Sequence, residues 1–271
     1  MMNIKTSLII IIIATNVIAF SQNWYSDLFK FEKTISEITE LVSPSVVVIA
    51  NVNNSNEIIS FGSGFIIREN GVILTNFHVI NGANKLLVKL ADDTIYDVEG
   101  IIDFDPDIDY AILKIKVNNL RFVSIGATEN LKIGTKTVAI GSPLGFEYTV
   151  SDGIISQVRH NGNYSLIQTT TPITFGSSGG PLLNLYGEAI GITTAGFEGG
   201  GNIGFAIPLH HIKGIKANNL SVKYSMTQFL KLYGDKVATQ NSTGTHLSDS
   251  DGNWILWLIA IWLFWGILPP A

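Results

Sequence analysis

Cysteine is absent from the 271 residues, which excludes a disulfide framework, thiolate catalysis and any cysteine-ligated metal. Charge is scarce as well: Asp, Glu, Lys and Arg make up 14% of the chain, and the formal net charge is −5. No basic stripe is present, so nucleic acid is not expected as the main partner. No internal repeat is evident, and no regular helices alternate with the short apolar segments. Apolar residues are plentiful instead, at 46%, enough to bury the core of one large domain or two small ones.

The two ends of the chain differ from its middle. Lys5, the apolar run Leu8 to Phe20 broken by Thr15 and Asn16, and Ala19-Phe20-Ser21 together predict a signal peptide over residues 1–21. An uncleaved membrane anchor is the alternative, although the run is short for a bilayer span. Export without cysteine suits a bacterial periplasm or cell envelope better than a eukaryotic secretory route. In the segment 22–43, the apolar spacing from Ser26 to Leu41 predicts an amphipathic helix ended by Pro44. Trp24, Tyr25, Phe29 and Phe31 are read as packing on their own domain, with a contact in a homo-oligomer left open. Beyond Pro208, Leu209 to Ile215 predicts a short closing helix. Within residues 216–253, Ser225 to Tyr233 reads as an amphipathic turn or two, and Gly234 to Asn253 as a polar linker. The last stretch, 254–271, contains the uncharged, Trp-rich run Trp254 to Leu268. As a helix that run spans about 22 Å against a hydrocarbon core of roughly 30 Å. A thin-bilayer span and an in-plane anchor are both open, as is burial against protein.

Between the ends run many short segments rich in Val and Ile, from Ser45 to Val52 through to Ile203 to Ile207, with Gly, Asn or Asp in most gaps. That pattern predicts an all-β barrel or sandwich. Its length is generous for one small barrel and comfortable for two, with the seam placed near Asn118 to Thr128 and units at 44–122 and 123–215.

Thr174-Phe175-Gly176-Ser177-Ser178-Gly179-Gly180-Pro181 is the most demanding stretch of backbone. Its glycines permit a sharp turn that presents Ser178 and aims the N–H groups of Gly176 and Ser178, with Ser177 beside them, at one point. An oxyanion would form there if the Ser178 hydroxyl attacked a carbonyl. Such a nucleophile needs a base and an orienter. Of the five histidines, His160 and His246 sit in polar loops. The His210-His211 pair reads as solvated and not as a metal site, since adjacent residues rarely point to one place. His78 differs, because it lies where the apolar strand Val72 to Thr75 runs out into a turn. Asp103, Asp105, Asp107 and Asp109 raise the pattern of a calcium loop, but its sixth position is Ile108 and its twelfth Lys114, so no metal is expected. Asp109 alone is directly followed by an alternating strand, and the other three read as decorating a solvated turn. The order His78, Asp109, Ser178 matches the double-barrel version of the Ser-His-Asp triad.

These residues resemble a trypsin-fold serine protease of the HtrA/Deg group. The matching stretches are Ser43 to Ile49, Gly62 to Ile67, Thr75 to Ile80, Asp109 to Lys114, Gly141 to Gly145, Gly176 to Asn184 and Gly204 to Pro208, in order along the chain. The resemblance implies two antiparallel six-stranded β-barrels with the active site in the cleft between them, plus short N- and C-terminal helices. It implies endopeptidase activity on unfolded or misfolded polypeptides, needing no cofactor, and places Pro172, Thr193, Thr194 and Ala195 along the substrate. Pro172 stands where trypsin-like enzymes carry a pocket carboxylate, so a small or apolar preference is expected. Ser177 replaces the Asp that pairs with a freshly cut N-terminus in the digestive branch. Thr170, Thr174 and Phe175 depart from the group's usual Asp, Asn and Pro. No PDZ domain is expected, because the stretch after Pro208 is too short for one plus the apolar tail. The competing reading is a protease-shaped holdase with a collapsed oxyanion loop.

Overall fold

A computed structural model describes residues 30–52, 58–142, 148–161, 164–197, 203–215 and 220–233. The expected signal peptide, the polar linker, the Trp254 to Leu268 segment and the glycine-rich loop Glu198 to Asn202 lie outside the described residues. Among the described residues no helix is long and apolar enough to cross a membrane.

Two closed antiparallel six-stranded barrels form the molecule. The first comprises β1 (Val46–Val52), β2 (Ile58–Arg68), β3 (Val72–Thr75), β4 (Lys85–Lys89), β5 (Ile95–Asp105) and β6 (Tyr110–Ile115). Its long strand β5 closes the ring: Ile95 to Asp97 pair with β4, then Val98 to Asp105 cross to β6 through two register irregularities. Bulges of this kind bend a strand enough to turn a barrel's corner. The second barrel comprises β7 (Lys136–Gly141), β8 (Thr149–Asn161), β9 (Tyr164–Thr169), β10 (Pro181–Leu183), β11 (Ala189–Phe197) and β12 (Ile203–Pro208), closed in the order β10-β11-β12-β9-β8-β7.

β-branched residues dominate these strands because their stiff side chains fill a pleated, enclosed surface well. Strand β3 is buried at all four positions, so alternation is lost there. One of its faces fills the first barrel, where Ile73 packs with Val47, Ile49, Ile66, Val88 and Leu113. The other, through Val72 and Leu74, joins Phe65 and Ile112 against Val138, Ile140, Leu183 and Ile192 of the second barrel. This continuous apolar seam fixes the two barrels against each other. Helix α1 (Ile35–Val42) adds Ile38 and Val42 to the same seam.

Helix α1 is shorter than the expected Ser26 to Leu41. Thr34 stops it with a reciprocal capping box: its hydroxyl accepts from the Glu37 N–H, and the Glu37 carboxylate accepts from the Thr34 N–H. Lys33 just ahead of the cap donates its N–H to the Leu185 carbonyl, and Lys30 pairs with Glu188, so residues 30–33 run along the second barrel. The expected helix at Leu209 to Ile215 is a single 3₁₀ turn, Leu209–His211. Past it, β13 (Tyr224–Ser225) pairs with β5 outside the first barrel, and α3 (Met226–Tyr233) buries Phe229 completely.

Candidate active site

Ser178 lies in the connection between β9 and β10, and the geometry of that turn leaves little choice of residue. Gly176 and Gly179 have φ of +87° and +90°, conformations that side chains disfavour. A Cβ on Gly179 would fall 2.0 Å from the Ser63 carbonyl oxygen and 2.4 Å from Thr75 Oγ1, so barrel one touches the turn directly behind Ser178.

His78 belongs to the four-residue helix α2 (Phe77–Ile80) that follows β3. Phe77, Val79 and Ile80 are buried in the first barrel, which leaves the His78 side chain, 31% exposed, facing the cleft. Asp109 occupies the last position of the turn before β6 and is 4% exposed. Asp105 builds that turn, its carboxylate accepting from the N–H groups of Asp107 and Ile108 while its carbonyl accepts from the Asp109 N–H. Asp109 sits at φ +68°, a left-handed conformation that Asp tolerates better than most residues. Of the other aspartates read as a solvated turn, Asp103 is instead a strand residue that accepts from the Tyr110 hydroxyl and from Lys223 Nζ.

The Asp109 carboxylate collects three donors. Oδ1 accepts the His78 backbone N–H at 2.9 Å, and Oδ2 lies 2.8 Å from His78 Nδ1 and accepts from Thr194 Oγ1 at 2.9 Å. Asn76 Nδ2 fixes the Asp109 carbonyl from the other side at 3.0 Å. Holding one carboxylate against both the ring and the main chain of His78 sets the tautomer, with hydrogen on Nδ1 and a lone pair on Nε2. Burial pulls the His78 pKa down, but the charge of Asp109 and its hydrogen bond outweigh that, and the net shift is upward from 6.5.

The Ser178 hydroxyl donates to the Thr194 carbonyl at 2.9 Å, and no hydrogen bond joins it to His78 among the described residues. Thr194 therefore links the two halves of the site, its hydroxyl on Asp109 and its carbonyl on Ser178. It can do so because β11 carries a register irregularity between Thr193 and Ala195, which drops Thr194 out of the ladder with β12.

Backbone accounting around Ser178 identifies the remaining donors. The N–H groups of Ser177, Gly179 and Gly180 go to the carbonyls of Thr174, Thr193 and Ser177. The carbonyls of Gly176, Ser177 and Ser178 accept from Ser63 Oγ, Thr193 Oγ1 and the Ser63 N–H. The N–H groups of Gly176 and Ser178 have no partner among the described residues. These are two of the three expected oxyanion donors, whereas the third, the N–H of Ser177, is committed to the Thr174 carbonyl at 3.0 Å.

Of the residues expected along the substrate, Pro172 is exposed beside the turn, its carbonyl accepting from Ser151 Oγ. Thr193 and Thr194 are buried with their hydroxyls on internal partners, the Ser178 turn and Asp109, and the main chain of Thr193 is bonded to Gly179 and Gly180 of the same turn, so only the main chain of Thr194 remains to meet a substrate. Ala195 pairs with Phe205 in the β11–β12 ladder. Ser63 escaped the sequence reading, and Thr194 was expected along the substrate, not as the bridge between Asp109 and Ser178. The available signals were a hydroxyl between two glycines in an apolar strand, Gly62-Ser63-Gly64, and paired threonines interrupting Gly191-Ile192-Thr193-Thr194.

Comparison with known proteins covers most of the described chain. Residues 62–192 match the trypsin-like peptidase domain family. Over 160 residues the chain is 46% identical to a probable periplasmic serine endoprotease DegP-like of Pseudomonas fluorescens, covering 55% of this chain and 33% of that protein. Over 195 residues it is 38% identical to Protease Do-like 1, chloroplastic, of Arabidopsis thaliana, covering 64% and 44% respectively. Among solved structures, the serine endoprotease from Yersinia pestis superposes with a TM-score of 0.59 at 36% identity, covering 67% of this chain and 64% of that one. The chain thus spans less than half the length of these curated relatives.

Proposed function

Because this chain carries a trypsin-like serine protease domain of the HtrA/Deg type, we propose that it is a serine endopeptidase acting through Ser178, His78 and Asp109. The observation that carries the reading is the Asp109 carboxylate gripping His78 at both Nδ1 and the backbone N–H, with Ser178 tied to the same assembly through Thr194.

The first step is a rotation about χ1 of Ser178 that moves its hydroxyl from the Thr194 carbonyl to His78 Nε2. Ser178 Oγ then attacks the scissile carbonyl carbon while Nε2 takes the proton, and Asp109 stabilises the imidazolium that forms. The carbonyl π electrons move onto oxygen, and the resulting oxyanion is met by the N–H groups of Gly176 and Ser178. A single donor of this kind typically supplies roughly 3 kcal/mol of barrier lowering. Collapse of the intermediate expels the amine, which takes the proton from His78 and leaves an ester on Ser178. Water, deprotonated by His78, hydrolyses that ester by the same route.

The substrate class in this proposal is unfolded or misfolded polypeptide cut after a small or apolar residue, since Pro172 supplies no charge for Lys or Arg. Export to a bacterial envelope completes it, on the strength of the N-terminal signal pattern. Incubation of the full chain with a fluorophosphonate probe and with casein tests the core of the reading. Wild type is expected to label and to degrade casein, and S178A to do neither. Labelling that persists in S178A rejects Ser178 as the nucleophile, and wild-type protein inert to both reagents rejects the enzyme and favours a holdase.

A further inference from the structure

Ser63 stands at a junction that no part of the chemistry above employs. It lies on β2, is fully buried, and makes four hydrogen bonds. Its hydroxyl donates to the Gly176 carbonyl at 2.6 Å and accepts the Ser142 N–H at 3.0 Å. Its N–H donates to the Ser178 carbonyl at 2.8 Å, and its own carbonyl accepts from Thr75 Oγ1 at 2.7 Å. A single residue of the first barrel thereby holds the Gly176–Ser177 and Ser178–Gly179 peptide units, one on each side of the Ser177–Ser178 peptide, although the whole turn belongs to the second barrel.

We propose that Ser63 is a positioning residue for catalysis: its hydroxyl locks the Gly176–Ser177 peptide, which links the two peptide units carrying the Gly176 and Ser178 N–H groups, so that both stay aimed at one point, the developing oxyanion. The inference rests on the serine endopeptidase reading. Gly176 has no Cβ and sits at φ +87°, so the peptide after it can rotate at little steric cost unless its oxygen is held. Rotation would also break the bond from the Ser177 N–H to the Thr174 carbonyl, which closes the turn containing Gly176. Thr193 Oγ1 anchors the Ser177 carbonyl and the Ser63 N–H anchors the Ser178 carbonyl, so the Gly176 carbonyl is the one anchored by the Ser63 hydroxyl. Loss of that hydroxyl also strips the buried Ser142 N–H of its acceptor, which loosens the start of the neighbouring connection after β7. The hydroxyl is out of reach of a substrate, so its effect runs entirely through the oxyanion donors.

The test measures inactivation by an alkyl fluorophosphonate on full-length wild type, S63A and S63C, separating the maximal rate kinact from the apparent affinity KI. S63A is expected to lose about 10- to 100-fold in kinact, somewhat less than loss of an oxyanion donor itself, while KI stays within about two-fold and the final labelled fraction reaches the wild-type value. A purely structural role would lower the thermal midpoint or the labelled fraction and leave kinact of the folded molecules unchanged, and that result overturns the proposal. Should S63A fail to fold, S63C keeps the volume with a weaker donor, and is expected to show a several-fold lower kinact. Wild-type kinact in S63C would equally overturn it. If wild type itself does not label, the endopeptidase reading fails and this inference with it; if wild type labels and S63A matches it, only this inference fails.

Discussion

In the proposed mechanism His78 accepts a proton from Ser178 only while its Nε2 carries a lone pair, so the ionisation of one ring sets the acid limit of the reaction. Burial favours the neutral ring, and the Asp109 charge with its hydrogen bond favours the cation more strongly, leaving the pKa above 6.5. The active form lies on the alkaline side of that value. The rate of fluorophosphonate labelling is therefore expected to rise with pH through a limb centred above pH 6.5. D109N removes the two raising contributions and leaves burial, so its limb should move to lower pH. Its plateau should fall by about 10⁴-fold, because the amide favours the wrong tautomer. A limb that stays in place in D109N would show that another group is being titrated. At this scale His78, Asp109 and Ser178 were legible because each is punctuated by backbone chemistry: a strand end, an aspartate turn, a glycine run. The bonds made by Ser63 and Thr194 were not, since hydroxyls inside Val- and Ile-rich strands look like ordinary β residues until the partner strand is known, and Asn76, at the cap of α2, carries no local sign that its amide reaches the Asp109 carbonyl.

Elements bring those residues to the cleft, and one element does so from an unexpected direction. Helix α3 stacks an aromatic group under α2: Phe77 lies 5.5 Å from Tyr233 and 6.4 Å from Phe229, and Phe104 of β5 contacts both. Phe77 immediately precedes His78, so α3 forms the floor on which the His78 backbone rests. Truncating the fully buried ring in F229A should cost about 3 to 5 kcal/mol of stability, measured by chemical denaturation, since it combines lost transfer energy with a cavity. A loss below roughly 1 kcal/mol would mean that α3 is peripheral to the fold. The apolar spacing of Ser225 to Tyr233 showed that a helix forms there, but the face it covers depends on β5 crossing from β4 to β6, which local sequence does not encode. The same limit explains α1, where periodicity extended the helix back to Ser26 and the Thr34–Glu37 capping box ended it at Ile35.

The inter-barrel seam makes the molecule one thermodynamic unit, because Phe65 and Leu74 of one barrel share a core with Ile140 and Ile192 of the other. A local protonation in either barrel should consequently appear in the unfolding of the whole. His211 offers such a site. Its Nε2 accepts the Ser165 N–H at 2.8 Å, which requires an unprotonated nitrogen, and its ring lies 4.1 Å from that of His210. His210 is itself tied to Thr128 Oγ1, so the pair read as solvated from sequence is engaged on the side of the second barrel. Burial first, then the charges of His210 and His160, lower the His211 pKa from 6.5. The unfolded chain thus binds a proton that the folded chain refuses. The stability that His211 contributes is complete above pH 6.5 and falls as pH drops through the window down to its depressed folded value, whereas His78, with its raised pKa, works in the opposite sense. Glu37 and Asp92, also lowered, start from 4.5 and 3.8, so acid losses through them begin at lower pH. Thermal unfolding followed by circular dichroism between pH 7.5 and 5 should show one transition, and the midpoint of H211Q should lose less on acidification than that of wild type, His78 being common to both. Two separate transitions would refute the shared core, and an unchanged slope in H211Q would remove His211 as the source of the acid sensitivity.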